Sequence, residues 1–308
     1  MLLAAIDIGT NSTKMTVADV SGDGLLTVVS EVSEVTRLGE GVDASKRLTE
    51  AAMERTLDAI ERFAADARSQ GAAEVLGAGT SALRDAANGE EFLAQAKLRA
   101  GVEIQIITGE REASLAYAAV RSDSTLKIPA DTHLLVFDIG GGSTELILGD
   151  QNGVERSKSL NIGAVRLTER YLHSDPPTAE ELNEAEEFVR SALQTFELPG
   201  AVPRIAGIGG TALNIAAVTQ GLEKPDPDAV HALTVTRNAV SEALQRFSSV
   251  PLAERRHIPG LEPKRADIIV AGALLLNCLL AHFQADSFLL SARGLRYGLL
   301  ADYAKSRQ

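Results

Sequence analysis

Asp7-Ile8-Gly9-Thr10-Asn11-Ser12-Thr13-Lys14 is echoed later in the chain by Asp138-Ile139-Gly140-Gly141-Gly142-Ser143-Thr144-Glu145, and five of the eight positions are identical. In each copy an apolar run, at 2–6 or 134–137, enters a Gly/Ser/Thr turn and leaves it in a second β-prone stretch, at 15–20 or 146–148. Such a pattern predicts a strand, a tight turn and a returning strand. Two glycine hairpins can look alike by chance. Identity at matched positions with matching flanks instead predicts duplication of a whole lobe.

Between and after the copies, helical and strand-like segments alternate. Apolar residues at helical spacing (Ala52, Leu57, Ile60, Phe63, Ala64) predict a helix over 49–70. A strand at 74–78, a helix at 92–99, a strand at 102–107 and a helix at 110–120 follow. The stretch 121–131, with Pro129, reads as the connection into the second lobe. Helices are then predicted at 178–196, 211–218, 234–247 and 266–282, strands at 204–208 and 288–291, and a closing helix from about 295. This is an α/β chain with mixed sheets, because each copy begins with a hairpin. The expected lobes are 1–125, joined by the closing helix 295–308, and 126–294.

The chain has 308 residues, 45% hydrophobic and 23% charged, with a formal net charge of -12. That charge speaks against nucleic acid or an anionic membrane as a partner. A polyanionic ligand would have to be met locally, by a metal, backbone N–H groups and a few placed cations. Cys278 is the single cysteine and lies in an apolar run, so no intrachain disulfide can form. It reads as a core thiol in a reducing, cytoplasmic setting. Residues 1–6 are apolar but follow no basic stretch, and Asp7 interrupts them, so no signal peptide is expected. The run 268–280 contains Asn277 and falls short of the roughly 18 residues of a membrane span. It is expected as a buried helix.

Three glycine-rich turns follow apolar strands, and each offers candidate phosphate donors: Asn11, Ser12 and Thr13; Gly141, Gly142 and Ser143; Gly209, Gly210 and Thr211. Glycine lets the backbone approach an anion closely, and a neighbouring hydroxyl adds a donor. The third turn opens a helix, whose N-terminus attracts negative charge. Asp7 and Asp138 end their strands, and Glu145 stands across the turn from Asp138. Carboxylates so placed suit Mg²⁺, with Mn²⁺ as a substitute, because a hard cation needs only one or two of them beside water and substrate oxygens. The sequence leaves open the alternative that Asp138 caps the turn and Glu145 is solvated. The five histidines show no metal-ligand spacing.

The segments DIGTNSTK, GTSALRDA, ITGEREASLAY, LLVFDIGGGSTELILG, IAGIGGTALN, PGLEPKRADIIVAGALLL and LSARGLRYGLL span nearly the whole chain. In content and order they resemble the exopolyphosphatase/guanosine pentaphosphate phosphohydrolase family. The resemblance implies two duplicated ribonuclease H-like lobes of the actin, sugar kinase and heat-shock chaperone ATPase type, closing around an inter-lobe cleft. It also implies that Glu112 is the catalytic base, whereas Glu110 reads as an ordinary acidic residue of a first helical turn. Arg84 and Arg296 match positions directed at substrate phosphates. Lys14 stands where relatives often carry arginine, which keeps the charge and gives up the planar fork. Arg166 is left open between cleft and solvent. In the implied mechanism Mg²⁺ is held by Asp138 and Glu145 with Asp7 nearby, and Glu112 activates water. The implied substrate is inorganic polyphosphate, with guanosine pentaphosphate as the nearest rival and a small-molecule kinase or a nucleotide-binding scaffold as remoter ones. With longer relatives carrying a further helical domain and this chain ending at Gln308, short polyphosphate and distributive release are expected. A homodimer is left open.

Overall fold

The computed structural model describes residues 1–21, 25–198, 200 and 204–307. The chain divides into two units, Met1–Ala119 with Arg293–Gln308, and Val120–Ala292. Gln308 itself lies outside the described residues. Helices of eight residues or more are, in chain order, α1 (Glu50–Ser69), α2 (Gly89–Ala100), α3 (Gly109–Ser122), α4 (Ala164–Tyr171), α5 (Ala179–Leu193), α6 (Gly210–Thr219), α7 (Arg237–Ser248), α8 (Ile269–His282) and α9 (Leu295–Lys305).

In the first unit β1 (Leu2–Ile8) runs antiparallel to β2 (Thr13–Val20), which pairs in turn with β3 (Leu26–Glu34). On the other side β4 (Glu74–Gly79) and β5 (Ile104–Ile106) continue in parallel, giving the order β3-β2-β1-β4-β5. Alternation along the strands assigns their faces. Ala4, Ile6, Ile8, Met15 and Val17 share a core with Leu57, Ile60 and Phe92 of α1 and α2. Leu3, Ala5, Ala18 and Val20 pack instead on Leu300 and Ala304 of α9. Asp7 and Lys14 fall on this second face by the same period of two. Helix α1 begins where Thr49 accepts a hydrogen bond from the Ala52 N–H, an ordinary N-cap.

The second unit repeats the plan. β6 (Leu134–Ile139) pairs antiparallel with β7 (Thr144–Asp150), and β7 with β8 (Gly153–Leu160). β9 (Arg204–Ile208) lies parallel to β6, followed outward by β11 (Ser287–Leu290) and β10 (Thr234–Thr236), in the order β10-β11-β9-β6-β7-β8. Phe137 and Phe288 meet edge-on at 5.2 Å. Only glycine fits beside them at 207, since a Cβ there would stand 2.2 Å from Phe137 Cζ. The apolar stretch expected as a buried helix is α8, with Cys278 inside it. Burial pushes that thiol up to about 12. Among the described residues, no helix is long and apolar enough to cross a membrane.

Some elements depart from expectation. The helix expected over 234–247 begins only at Arg237, because Thr234-Val235-Thr236 is β-branched and Val235 pairs with Phe288. Thr236 then caps α7 by accepting from the Ala239 N–H. Strands β3 and β8, which extend each hairpin to a three-stranded meander, and the helix α4 were not anticipated.

Candidate active site

The duplicated turns are the same object built twice. Gly9 N–H donates to Ser12 O at 3.1 Å, and Gly140 N–H donates to Ser143 O at 3.0 Å. Each turn is tied down by its threonine: Thr13 Oγ1 lies 2.9 Å from Thr36 Oγ1, and Thr144 Oγ1 donates to Ile162 O at 2.7 Å. The following segment then zips onto the loop. In the first unit Arg37 N–H donates to Asn11 O and Gly39 N–H to Thr10 O, both at 2.9 Å. In the second, the N–H groups of Ala164, Val165 and Arg166 donate to Gly140 and Gly141. Asn11, Ser12, Thr13 and Ser143 are all buried in these turns. The Asn11 Nδ2 donor has no hydrogen-bond partner.

What differs between the copies is charge. Asp7 stands opposite Lys14 in the β1–β2 register, whereas Asp138 stands opposite Glu145 in β6–β7. Like charges directly across a ladder repel. Glu145 is only 1% exposed, and Ser159 donates to its Oε1 at 2.7 Å. Two carboxylates on one sheet face, facing each other and drawn from buried strands, form an all-oxygen donor set that fits a hard divalent cation. The third turn crosses Asp138 closely: a Cβ at Gly209 would lie 2.7 Å from Asp138 Oδ1, and Gly209 has φ +98°. Glycine is required there for space and conformation alike.

Helix α6 starts at Gly210, so the third turn presents unpaired backbone N–H groups. Thr211 is buried and packs against Gly272, where a Cβ would meet its Oγ1 at 2.7 Å. Its side chain packs toward α8. Arg265 was missed by sequence reasoning. Its guanidinium lies against Gly210, so close that a Cβ there would stand 2.3 Å from Nη1. Asn214 ties Gly210 to the segment that precedes Arg265, donating to Gly210 O at 2.8 Å and accepting from Glu262 N–H at 2.7 Å. Burial pulls the Arg265 guanidinium below its ordinary value, against the pull of Glu262 and Asp267. The signal in the sequence was a cation two residues after Pro263, shortly before an apolar helix. Arg166, left open by the sequence, is 6% exposed and donates through Nε to Gly142 O at 2.8 Å. It braces the second turn from within.

In the first unit Glu112 lies in the first turn of α3 and is 8% exposed. Arg84 holds it, donating from Nη1 to Glu112 Oε2 at 2.7 Å and to Ile107 O at 2.9 Å. Glu110, two residues earlier, is exposed and keeps its ordinary capping role: its own backbone N–H and the Thr108 hydroxyl hold its carboxyl below the usual range. Arg296 donates to Met15 O at 2.9 Å and pairs with Glu31 at 3.1 Å. Burial pushes Asp7 above its ordinary value, while Lys14 and Arg296 oppose the rise. Arg296 thus contacts β2 and β3 directly.

Although sequence spacing gave the histidines no metal partners, His133 meets Asp150 and Glu155 with ligand atoms within 4.8 Å of one another. This trio sits at the opposite end of the β6–β7 hairpin, five residues along the strand from Asp138 or about 17 Å at strand rise. Asp150 already accepts from the Asn152 N–H, and His133 lies 3.2 Å from Glu155.

The sequence pattern of the Ppx/GppA phosphatase family matches residues 16–307. Exopolyphosphatase 2 of Mycobacterium tuberculosis is 36% identical over 287 residues, covering 89% of this chain and 88% of that protein. A bifunctional 3-dehydroquinate synthase/phosphatase of Fusobacterium nucleatum is 31% identical over 318 residues and covers 99% of this chain, which spans 47% of that protein's length. The crystal structure of an Aquifex aeolicus member of the Ppx/GppA family superposes with a TM-score of 0.83 at 33% identity, covering 100% of this chain and 99% of that one.

Proposed function

Because the chain belongs to the Ppx/GppA phosphatase family, we propose that it hydrolyses the terminal phosphoanhydride of inorganic polyphosphate and releases orthophosphate. The observation that carries this reading is Glu112, a nearly buried carboxylate at a helix start, fixed by Arg84 at 2.7 Å. A carboxylate so oriented is suited to take a proton from water as the water oxygen bonds to the terminal phosphorus. The bridging P–O bond breaks in line, and the shortened chain leaves as the other product.

The remaining residues position and neutralise. The backbone N–H groups of the Gly141-Gly142-Ser143 and Gly209-Gly210-Thr211 turns, with Asn11, Ser12 and Thr13 in the first unit, are donors for phosphate oxygens. Lys14 and Arg265 add positive charge at their turns, and Arg84 and Arg296 hold Glu112 and the first sheet in place. Asp138 and Glu145 are the pair that would hold Mg²⁺ or Mn²⁺, and Asp7 is the matching carboxylate of the first unit. Such an ion supplies charge neutralisation on the phosphate oxygens. Short chains and distributive release belong to the same proposal.

The test is phosphate release from polyphosphate, guanosine pentaphosphate and ATP side by side. Polyphosphate is expected to be the best substrate. Glu112→Gln, nearly isosteric, is expected to lower kcat by about 10²–10⁴-fold, the usual worth of a general base. Glu110→Gln should retain most activity. Wild-type turnover by a folded Glu112→Gln enzyme would remove Glu112 from the mechanism.

A further inference from the structure

We propose that His231 is a pin that anchors both chain crossings between the two units, and through them the helices that carry Glu112 and Arg296. The chain leaves the first unit between Ala119 and Val120, inside α3, and returns between Ala292 and Arg293, just ahead of α9. Both crossings end on this one imidazole. On the outgoing side, Asp123 caps a turn over Ser124–Leu126, accepting at Oδ1 from Thr125 N at 3.0 Å and from Thr125 Oγ1 at 2.5 Å. His231 Nε2 lies 2.6 Å from Thr125 Oγ1 and 3.2 Å from Asp123 Oδ2. On the returning side, Ala292 N–H donates to His231 Nδ1 at 3.1 Å.

These contacts fix the ring's tautomer. Nδ1 accepts from an amide, so the proton sits on Nε2 and points to the Thr125/Asp123 pair. A nucleophilic relay is ruled out by the same geometry, because Thr125 and Asp123 both address Nε2 and the other nitrogen is taken by backbone. The side chains of Asp123 and His231 are 1% and 11% exposed. The backbone beside the ring is strained as well. Ala232 has φ +63°, held there by Ala232 N–H to Leu290 O at 2.9 Å and Leu290 N–H to Leu233 O at 2.8 Å. Such strain persists only where surrounding structure over-determines it.

Ten residue steps of α3 separate Glu112 from Ser122, about 15 Å at helical rise. The crossing is therefore continuous with the helix that carries the carboxylate, and a misplacement of a catalytic group by about 1 Å can cost on the order of a hundredfold in rate. Arg296 stands four residues after Ala292 on the returning arm. His231 is therefore a positioning residue. Its effect on turnover rests on the phosphatase reading above, whereas its anchoring of the crossings does not.

Three variants of the full chain separate its bonds. His231→Ala removes both ties. His231→Asn keeps an acceptor for the Ala292 N–H, and His231→Gln keeps a donor at the Nε2 position. Amide hydrogen exchange should rise at both 119–126 and 289–294 in the alanine variant. Protection should return chiefly at 289–294 in the asparagine variant and chiefly at 119–126 in the glutamine variant. With polyphosphate and Mg²⁺, His231→Ala should lose about tenfold to a hundredfold in kcat with KM nearly unchanged. Unaltered exchange at both crossings overturns the proposal, as does a loss of kcat that only tracks a loss of folded protein by circular dichroism. Should the alanine variant fail to fold, the opposite protection patterns of the other two decide, and equal patterns refute the pin. If the wild type releases no phosphate from polyphosphate, the phosphatase reading fails and the exchange data still judge His231.

Discussion

Asp7 and Asp138 hold matched places in the duplicated hairpins yet sit in opposite fields, one facing Lys14 and the other Glu145. Burial raises the Asp7 carboxyl above its ordinary value, so the folded state takes up a proton there that the unfolded chain gives away. The resulting penalty is absent in acid and grows as pH rises through the window between the unfolded and folded values. Asp7→Asn removes it, so calorimetry without added metal should find the variant melting above wild type at neutral pH, the gap closing below the carboxylate range. An unchanged gap at every pH would show that something other than ionisation is responsible. For the Asp138–Glu145 pair the natural probe is metal: millimolar Mg²⁺ or Mn²⁺ should raise the wild-type unfolding temperature by binding the native state. Glu145→Gln should abolish most of that rise. At this scale the sequence was readable where backbone carries the role, as in the three glycine turns. Arg265 and the bracing role of Arg166 were not, because a cation's partner is set by tertiary packing and leaves no local pattern. Glu112 became visible only through family resemblance, since an acidic residue in a first helical turn is commonplace.

Elements position these residues through close contacts that tolerate no extra atom. Gly163, at the start of α4, is the sharpest case: a Cβ there would stand 2.4 Å from Gly141 O and 2.7 Å from Gly142 N. Both are backbone atoms of the second turn, so relief requires the turn itself to move. Gly163→Ala is expected to cost about 1–3 kcal/mol by overpacking and to lower kcat/KM for polyphosphate more than unfolding alone explains. Chemical denaturation and phosphate release, measured on one preparation, check both parts; intact activity would show that the turn's position does not matter. Helix α4 itself escaped sequence reading, and so did β3 and β8. The two strands are edge strands of their sheets with exposed, polar-rich faces, and Gly153-Val154-Glu155-Arg156-Ser157-Lys158 carries no apolar alternation to signal a strand. The central strands, covered on both faces, were legible as continuous apolar runs. The residues 234–236 were absorbed into a neighbouring helix because three residues are too few for any period to emerge.

Duplication also explains how a molecule of net charge -12 can be proposed to handle a polyanion. Each unit brings its donors to short turns, and the cations are few and individually committed: Arg84 to Glu112, Arg296 to Glu31 and Met15, Arg166 to Gly142. A net charge of -12 would repel the rest of a long polyanion. Repulsion between separated charges reaches about 10 Å at 0.1 M salt and about 30 Å at 0.01 M, so dilute buffer should slow encounter most. At fixed free Mg²⁺, raising NaCl from about 10 to about 100 mM, a range that shortens the Debye length roughly threefold, should therefore raise kcat/KM for polyphosphate and leave kcat nearly constant. A basic track running along the substrate would give the reverse, a steep fall with salt from released counterions. The same net repulsion predicts that the shortened chain departs after each cleavage. Gel analysis of partly digested long polyphosphate should then show a smooth ladder of intermediates at either salt concentration. Full-length material coexisting only with end products would mean that the chain is held through many cycles, and local donors alone would not account for the grip.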